Sequence, residues 1–390
     1  MTSSANQVVR IGVVGLGYWG PNIARNVAES PRAELSWVCD MNPEALRLAS
    51  KRYSGTATTT SIEEMLDDPE LDAVAIATPV STHYDLARAA LDAGKHVLVE
   101  KPLAASLTQA QDLVDRAERA GLVLLPGHTF LYSPPVTKIK EILDSGAIGE
   151  IYFISISRVN LGLHQPDVSV VWDLGPHDFS ILNYWLGRLP NHVSAMTRSC
   201  VLPHTPDVAF INLRYESGTI AHLELSWLSP VKLRRTVIVG SQKMLVYDDV
   251  SNEPIRIFDA GAELPLPETF GEFRLAYRTG DIVSPKVDGT EPLGLEVADF
   301  CAAILDGVTP QSSPQIGLDV IRMIETVDAS LARTRSGAES SEPALDAALT
   351  DRLAAVDAAS STSLASSDAA EPQPGMPKRR SRRAVRPPSS

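Results

Sequence analysis

Residues 8–22 read VVRIGVVGLGYWGPN, and this stretch restricts the chain more than any other. A short run of Val and Ile feeds Gly15, Gly17 and Gly20, and Pro21 then opens a helical pattern. At this spacing the first glycine permits the tight turn, the second lets backbone approach a pyrophosphate, and the third lets helix pack on strand. The helix N-terminus then offers free N–H groups and a positive dipole end to phosphate. Glycine turns also occur for packing alone, so the neighbours decide. After a helix expected over Pro21–Ser30, an apolar run from Leu35 to Cys39 ends in Asp40, twenty residues past Gly20, where an acid can hydrogen-bond an adenosine ribose. Such an acid repels a 2′-phosphate, and Met41 and Asn42 bring no Arg to bind one, so NAD is favoured over NADP. The alternative for Asp40 is a turn or cap residue before Pro43.

Short β-branched runs then alternate with helical patterns. Strands are expected at Val9–Gly15, Leu35–Asp40, Ala73–Thr78, His96–Glu100 and Leu122–Gly127, with helices at Pro43–Tyr53, Thr82–Ala93 and Leu107–Ala120 between them. This rhythm predicts an α/β chain that begins with a doubly wound parallel sheet. Ligands on such sheets lie beyond the carboxyl ends of the strands, which singles out Gly15, Asp40, Thr78, Glu100 and His128. After a helix near Pro134–Ser145 the rhythm changes. Runs at Glu150–Asn160, His192–Val201, Val208–Tyr215, Thr219–Trp227, Arg235–Gly240 and Lys243–Tyr247 are separated by turn signals such as Ser217-Gly218. They predict a large, mostly antiparallel open sheet with one polar-tolerant face. Helices near Leu293–Leu305 and Gln315–Leu331 are expected to close the fold.

A length of 390 residues suggests two domains and a tail, with boundaries at 1–130, 131–336 and 337–390. Beyond Ser336 the composition collapses into Ala, Ser, Pro and charge; this segment is expected to be disordered, apart from a possible short helix with Leu345, Leu349, Leu353 and Val356 on one face. Its last thirteen residues carry six basic side chains and no acid, the pattern of a tether to RNA or an anionic membrane. The whole chain carries a formal charge of −13, which argues against general nucleic-acid binding by the folded body. Cys39, Cys200 and Cys301 are too few and scattered for a disulfide framework or a zinc site, so no metal is expected and a reducing compartment is. With no signal-like N-terminus and no apolar run of about 18 residues, the expected location is the cytoplasm.

Two clusters could carry chemistry. Glu100-Lys101-Pro102 closes the strand expected at His96–Glu100, where charges beside a buried sheet are costly. Lys101 would project toward the mouth of the sheet; a surface ion pair is the plainer alternative. The second cluster, Val171-Trp172-Asp173-Leu174-Gly175-Pro176-His177-Asp178, leads into an apolar helix whose first turn suits Pro176. Asp173 precedes His177 by four residues, so one helical turn would bring carboxylate to imidazole and raise the ring's basicity. A capping Asp beside an incidental His is the alternative.

In this order, Gly15, Gly17 and Gly20, then Thr78-Pro79 with His83, then Glu100-Lys101-Pro102, then Asp173-x-Gly175-x-His177, the pieces resemble the Gfo/Idh/MocA oxidoreductases over about residues 7–335. The resemblance implies an NAD-binding Rossmann domain and a second α/β domain whose open sheet faces substrate or a partner subunit, in a homodimer or homotetramer. It implies cofactor contacts from Gly15, Gly17, Tyr18, Trp19, Gly20, Asp40, Thr78, Pro79, His83, Glu100 and Lys101. It also implies that Lys101, Asp173 and His177 surround a sugar carbon that gives up hydride, with either His177 or Lys101 as the base. Trp19 and Trp172 are expected to pack rather than to serve as stacking platforms.

The segments 127–134, with His128 and Tyr132, and 158–162, with Arg158 and Asn160, look like the subset of the family found in nucleotide-sugar pathways. That subset oxidises the 3-hydroxyl of UDP-N-acetylglucosamine or its uronate. Arg158 and Asn160 are then candidates for a diphosphate or sugar hydroxyls; the alternative for Arg158 is a charge that ends an exposed strand. The rival substrates are inositol and free monosaccharides. A non-catalytic NAD-binding regulator is the rival from another class, and the presence of both Lys101 and His177 argues against it.

Overall fold

The computed structural model describes residues 7–162, 164, 168–263 and 276–338. The expected helix at 345–356 and the basic end of the tail lie outside them.

The first half alternates β1 (Val9–Val14), α1 (Gly20–Glu29), β2 (Ala33–Cys39), α2 (Pro43–Arg52), β3 (Ala57–Thr59), α3 (Ile62–Leu66), β4 (Ala73–Ile76), α4 (Val80–Asp92), β5 (His96–Glu100), α5 (Leu107–Ala120) and β6 (Leu124–Gly127). The strands pair in the order β3-β2-β1-β4-β5-β6, all parallel. Successive side chains in these strands supply opposite faces, and both faces are buried. Val9, Ile11, Val13, Ala73, Ala75 and Leu98 enter one core with Ile23 and Val27 of α1, while Val74, Ile76, Val97 and Val99 enter the other with Leu113 of α5. Neither β3, only three residues long, nor α3 was among the sequence expectations.

The glycine turn between β1 and α1 is sterically enforced. Gly15 has φ +90°. A Cβ on Gly20 would stand 1.8 Å from the Gly15 carbonyl oxygen, whereas one on Gly17 would meet nothing within 4 Å. Gly20 therefore seals helix to strand, and Gly17 faces open space. Gly20→Ala should cost about 3 kcal/mol through backbone overpacking, read as a lower urea midpoint with an unchanged slope.

The second half contains α6 (Pro134–Asp144), β7 (Ile151–Leu161), α7 (Val170–Leu186), β8 (His192–Arg198), β9 (Val208–Arg214), β10 (Ile220–Ser226), β11 (Leu228–Gly240), β12 (Met244–Asp248), β13 (Ile255–Glu263), β14 (Ala276–Val283), α8 (Pro292–Asp306) and α9 (Pro314–Ala338). Its sheet runs β14-β13-β12-β11-β7-β10-β9-β8 and is antiparallel except for the β7–β10 pair. One face buries Ile154, Ile156, Ile211, Leu213, Leu223 and Ile238 beneath α6, α7 and α9. The other is a mixed, exposed surface on which Ser157 donates to Glu224 (3.0 Å), beside Phe153, Met196, Phe210 and Ile220.

Three features correct the sequence expectations. β11 begins seven residues earlier than expected, and β13 and β14 extend the sheet's edge. α7 starts at Val170 with Ser169 as its cap, so Pro176 lies inside the helix and not in its first turn. Last, α8 returns to the parallel sheet, where Leu293, Val297, Phe300 and Cys301 pack with β1 and α1. No helix among the described residues is long and apolar enough to cross a membrane.

Candidate active site

The carboxyl ends of the parallel strands hold the first half of the site. Asp40, just beyond β2, accepts from the backbone N–H groups of Leu16 (2.5 Å) and Asn42 (2.7 Å), so its carboxylate is anchored against the glycine turn. No side chain caps the N-terminus of α1, and its first turn carries no acid. Open space at Gly17, an uncapped helix start and a fixed acid fit a dinucleotide diphosphate and its ribose. Tyr18 stands 90% exposed beside this turn. His83, expected to face the cofactor, is instead buried behind the site, its ring nitrogens 2.9 Å from the carbonyls of Thr78 and Pro102. It ties the ends of β4 and β5 together.

Lys101 follows β5, and its peptide bond to Pro102 is cis. Its Nζ donates to the Asp173 carbonyl (2.8 Å) and to Asp173 Oδ1 (3.3 Å), joining the parallel sheet to the first turn of α7. Asp173 Oδ2 accepts from Trp227 Nε1 (3.1 Å), just past β10. Asp173 therefore faces Lys101 and Trp227. This corrects the expected Asp173–His177 pair: although one turn apart, they share no hydrogen bond, and His177 Nδ1 is buried without a partner. The His177 ring sits edge-on to Phe130 at 4.9 Å between centroids. Burial, and then the nearby cations Lys101, Arg158 and Arg234, push its pKa well below the usual histidine range, so the ring is neutral.

His128, at the end of β6, is buried with both ring nitrogens unpartnered, and burial holds its pKa down at about 3. Arg158 is held by a buried ion pair that leaves its Nη1 buried and without a partner among the described residues. Its Nε and Nη2 bond both oxygens of Asp178 at 2.8 and 2.7 Å, with both residues at most 5% exposed. Tyr132 is likewise pinned: its hydroxyl donates to Asp299 (2.7 Å) and accepts from the Ser312 N–H (3.1 Å). Asn160 lies on the same sheet face as Arg158. Sequence reasoning overlooked Asp178, Trp227 and Glu296. A lone Asp in the apolar run of α7 was the available signal for the first; the other two are defined only by distant partners.

Behind Lys101 lies a pair of acids. Glu296 of α8 is fully buried and accepts from Thr129 Oγ1 (2.8 Å), and Glu100 Oε2 accepts from the Lys101 N–H (3.2 Å); each leaves Oε1 buried and unpartnered. Burial raises the Glu100 pKa to about 7, and burial with the Glu100 charge raises that of Glu296 well above the usual carboxyl range. A carboxyl whose pKa is higher folded than unfolded supports the fold while protonated. That support is full below about pH 4.5 and is lost as the pH climbs through about 7. Glu100→Gln should therefore gain about 3 kcal/mol on the wild type between pH 4.5 and 8, measured by urea unfolding at each pH. The variant isolates this effect, because the depressed histidines act oppositely and lose stability as the pH falls below about 6.5.

Residues 9–128 match the profile described as "Oxidoreductase family, NAD-binding Rossmann fold", and residues 136–246 match the "GFO/IDH/MocA C-terminal domain". The chain is 27% identical over 318 residues to scyllo-inositol 2-dehydrogenase (NAD(+)) of Bacillus subtilis, covering 77% of this chain and 88% of that protein. It is 30% identical over 229 residues to 1-carboxy-3-chloro-3,4-dihydroxycyclohexa-1,5-diene dehydrogenase of Comamonas testosteroni, covering 56% and 58%. Two curated relatives are matched over only 66% and 58% of their own lengths. Among solved structures, UDP-N-acetylglucosamine 3-dehydrogenase GnnA from Acidithiobacillus ferrooxidans is similar with a TM-score of 0.68 and 27% identity, covering 83% of this chain and 97% of that one. With a parallel 3-2-1-4-5-6 sheet behind the glycine turn and profiles that match both halves, this chain belongs to the Gfo/Idh/MocA oxidoreductase family.

Proposed function

We propose that the protein is an NAD-dependent dehydrogenase that moves hydride between a CH–OH carbon of a sugar and nicotinamide. The supporting observation is the contact of Lys101 Nζ with Asp173 at the carboxyl end of β5, with His177 one helical turn from Asp173 and near enough to Lys101 to feel its charge. Gly15, Gly17, Gly20 and Asp40 would hold the dinucleotide, with Tyr18, Trp19, Thr78, Pro79 and Glu100 around it. NAD, when bound, supplies the hydride acceptor. Asp173 fixes the Lys101 ammonium, which donates to the substrate oxygen and stabilises the alkoxide as it forms. His177, neutral as it stands, accepts the hydroxyl proton. The cations that disfavour an imidazolium there also favour the alkoxide, so the two charges develop together.

The substrate we assign is a nucleotide sugar oxidised at C3, of the UDP-N-acetylglucosamine class. Similarity to GnnA supports it, and similarity to the inositol dehydrogenase supports the alternative, a free polyol. The exposed outer face of the second sheet is the surface we assign to homodimer or homotetramer formation. The test is formation of reduced nicotinamide with UDP-sugars, inositols and free hexoses across pH. With His177 as the base, the acidic limb of kcat/KM falls below the ordinary histidine range and is altered in His177→Asn. An unchanged profile in that variant would move the base to Lys101, and turnover of polyols alone would move the substrate to the alternative.

A further inference from the structure

Two arginines stand directly opposite each other on the helix-covered face of the second sheet, Arg158 on β7 and Arg234 on β11. Both cover the ring of Phe130, with guanidinium carbons 4.7 and 5.7 Å from its centroid, and the same ring packs against His177. Arg234 is thus one aromatic ring away from the proposed proton acceptor. The two arginines differ in what they have left to give. Arg158 is buried and gives Nε and Nη2 to the two oxygens of Asp178, so that among the described residues Nη1 alone, itself buried, is left without a partner. The Arg234 side chain is 35% exposed and makes one ion pair, from Nη1 to Asp249 Oδ2 at 3.1 Å. Asp249 divides its carboxylate, since it also accepts from the Tyr247 hydroxyl (3.2 Å). Among the described residues, Nε and Nη2 of Arg234 have no hydrogen-bond partner, and together they form the edge of a guanidinium that matches a planar oxyanion in two-point fashion.

We propose that Arg234 is a specificity-determining residue that binds an oxyanion on the substrate's sugar, so that the enzyme prefers a sugar bearing that carboxylate or phosphate over the same sugar without it. Resting on the dehydrogenase role, this assignment adds what that role leaves open: whether the sugar itself carries an oxyanion that faces Arg234. The oxyanion is a ring carboxylate or a sugar phosphate, and Phe130 sets its distance from the reacting carbon. The anion gains more here than at an exposed arginine, because Phe130 and the sheet remove water from one side of the guanidinium.

The test compares matched pairs: UDP-N-acetylglucosamine with its uronate, glucose with glucuronate, and glucose with glucose 1-phosphate. Each is measured by kcat/KM with the wild type, Arg234→Met and Arg234→Lys. Arg234→Met should reduce the preference for the member of each pair with the added anionic group about 10- to 100-fold, the range of a charge-assisted hydrogen bond. Arg234→Lys should recover part of it through charge alone. The dissociation constant for NAD, unchanged in both variants, certifies folding. Preference for the uronates assigns a carboxylate, and preference for glucose 1-phosphate without the uronates assigns a phosphate. An equal loss on both members of each pair would overturn the proposal and leave Arg234 as a support for Phe130. Binding of glucuronate and glucose 1-phosphate to the protein–NADH complex, followed by tryptophan fluorescence, separates the two ideas. Arg234-dependent binding without turnover would defeat the dehydrogenase role and keep the anion site; turnover without it would do the reverse.

Discussion

Lys101→Met should lower kcat about 10³-fold on the best sugar substrate while leaving the protein folded and able to bind NAD. The ammonium supplies the positive charge fixed where the substrate oxygen becomes an alkoxide, and methionine replaces its length without its charge. The structural cost is small. Asp173 keeps its bond from Trp227 Nε1, and its side chain is 22% exposed, so water can replace the lost Lys101 partner. The expected change in stability is below about 1 kcal/mol. Single-turnover kinetics and a thermal melt on one preparation check both halves. A loss of activity that merely follows a loss of folding would remove Lys101 from the chemistry.

Arg158→Met should behave in the opposite way, with a fall in stability of about 3–5 kcal/mol. Asp178 is 2% exposed and its only side-chain partner among the described residues is Arg158, so the variant leaves an uncompensated charge inside the second core. Substituting both partners, Arg158→Met with Asp178→Leu, removes the stranded charge and should recover most of the loss. Urea denaturation of the two single variants and the double variant completes the cycle. If Arg158 bound substrate through a spare charge, Arg158→Met would weaken substrate binding with the urea midpoint unmoved.

The features legible in the sequence were those built from neighbours in the chain. The glycines at 15, 17 and 20 with Asp40 announced the turn and its acid because each acts within one βαβ unit, and the strand rhythm up to residue 127 announced the parallel sheet. Lys101 stood out because a charge beside a buried strand is costly. Pairings across the fold were not legible. Asp173 was read with His177, its neighbour on one helix, yet its carboxylate is taken by Lys101, 72 residues earlier, and Trp227, 54 residues later. Arg158 looked like a free charge because nothing in its own strand reveals Asp178 on α7. The interior start of α7 was hidden for a local reason: Pro176 is a strong helix-start signal, but Ser169 caps the helix two turns earlier. The edge strands β13 and β14 carry Asp, Gly and Arg among their apolar residues, which obscures a period of two.

The most direct measurement follows deuterium from the carbon of the substrate. With UDP-N-acetylglucosamine or its uronate deuterated at C3, and NAD as acceptor, hydride transfer at that carbon predicts one deuterium in the reduced nicotinamide and none in solvent, with both the label and turnover strongly diminished in Lys101→Met. Reduced nicotinamide without the label would place the oxidation at another carbon. No reduction with any sugar, while NAD stays tightly bound, would contradict the assignment of this site to dehydrogenation.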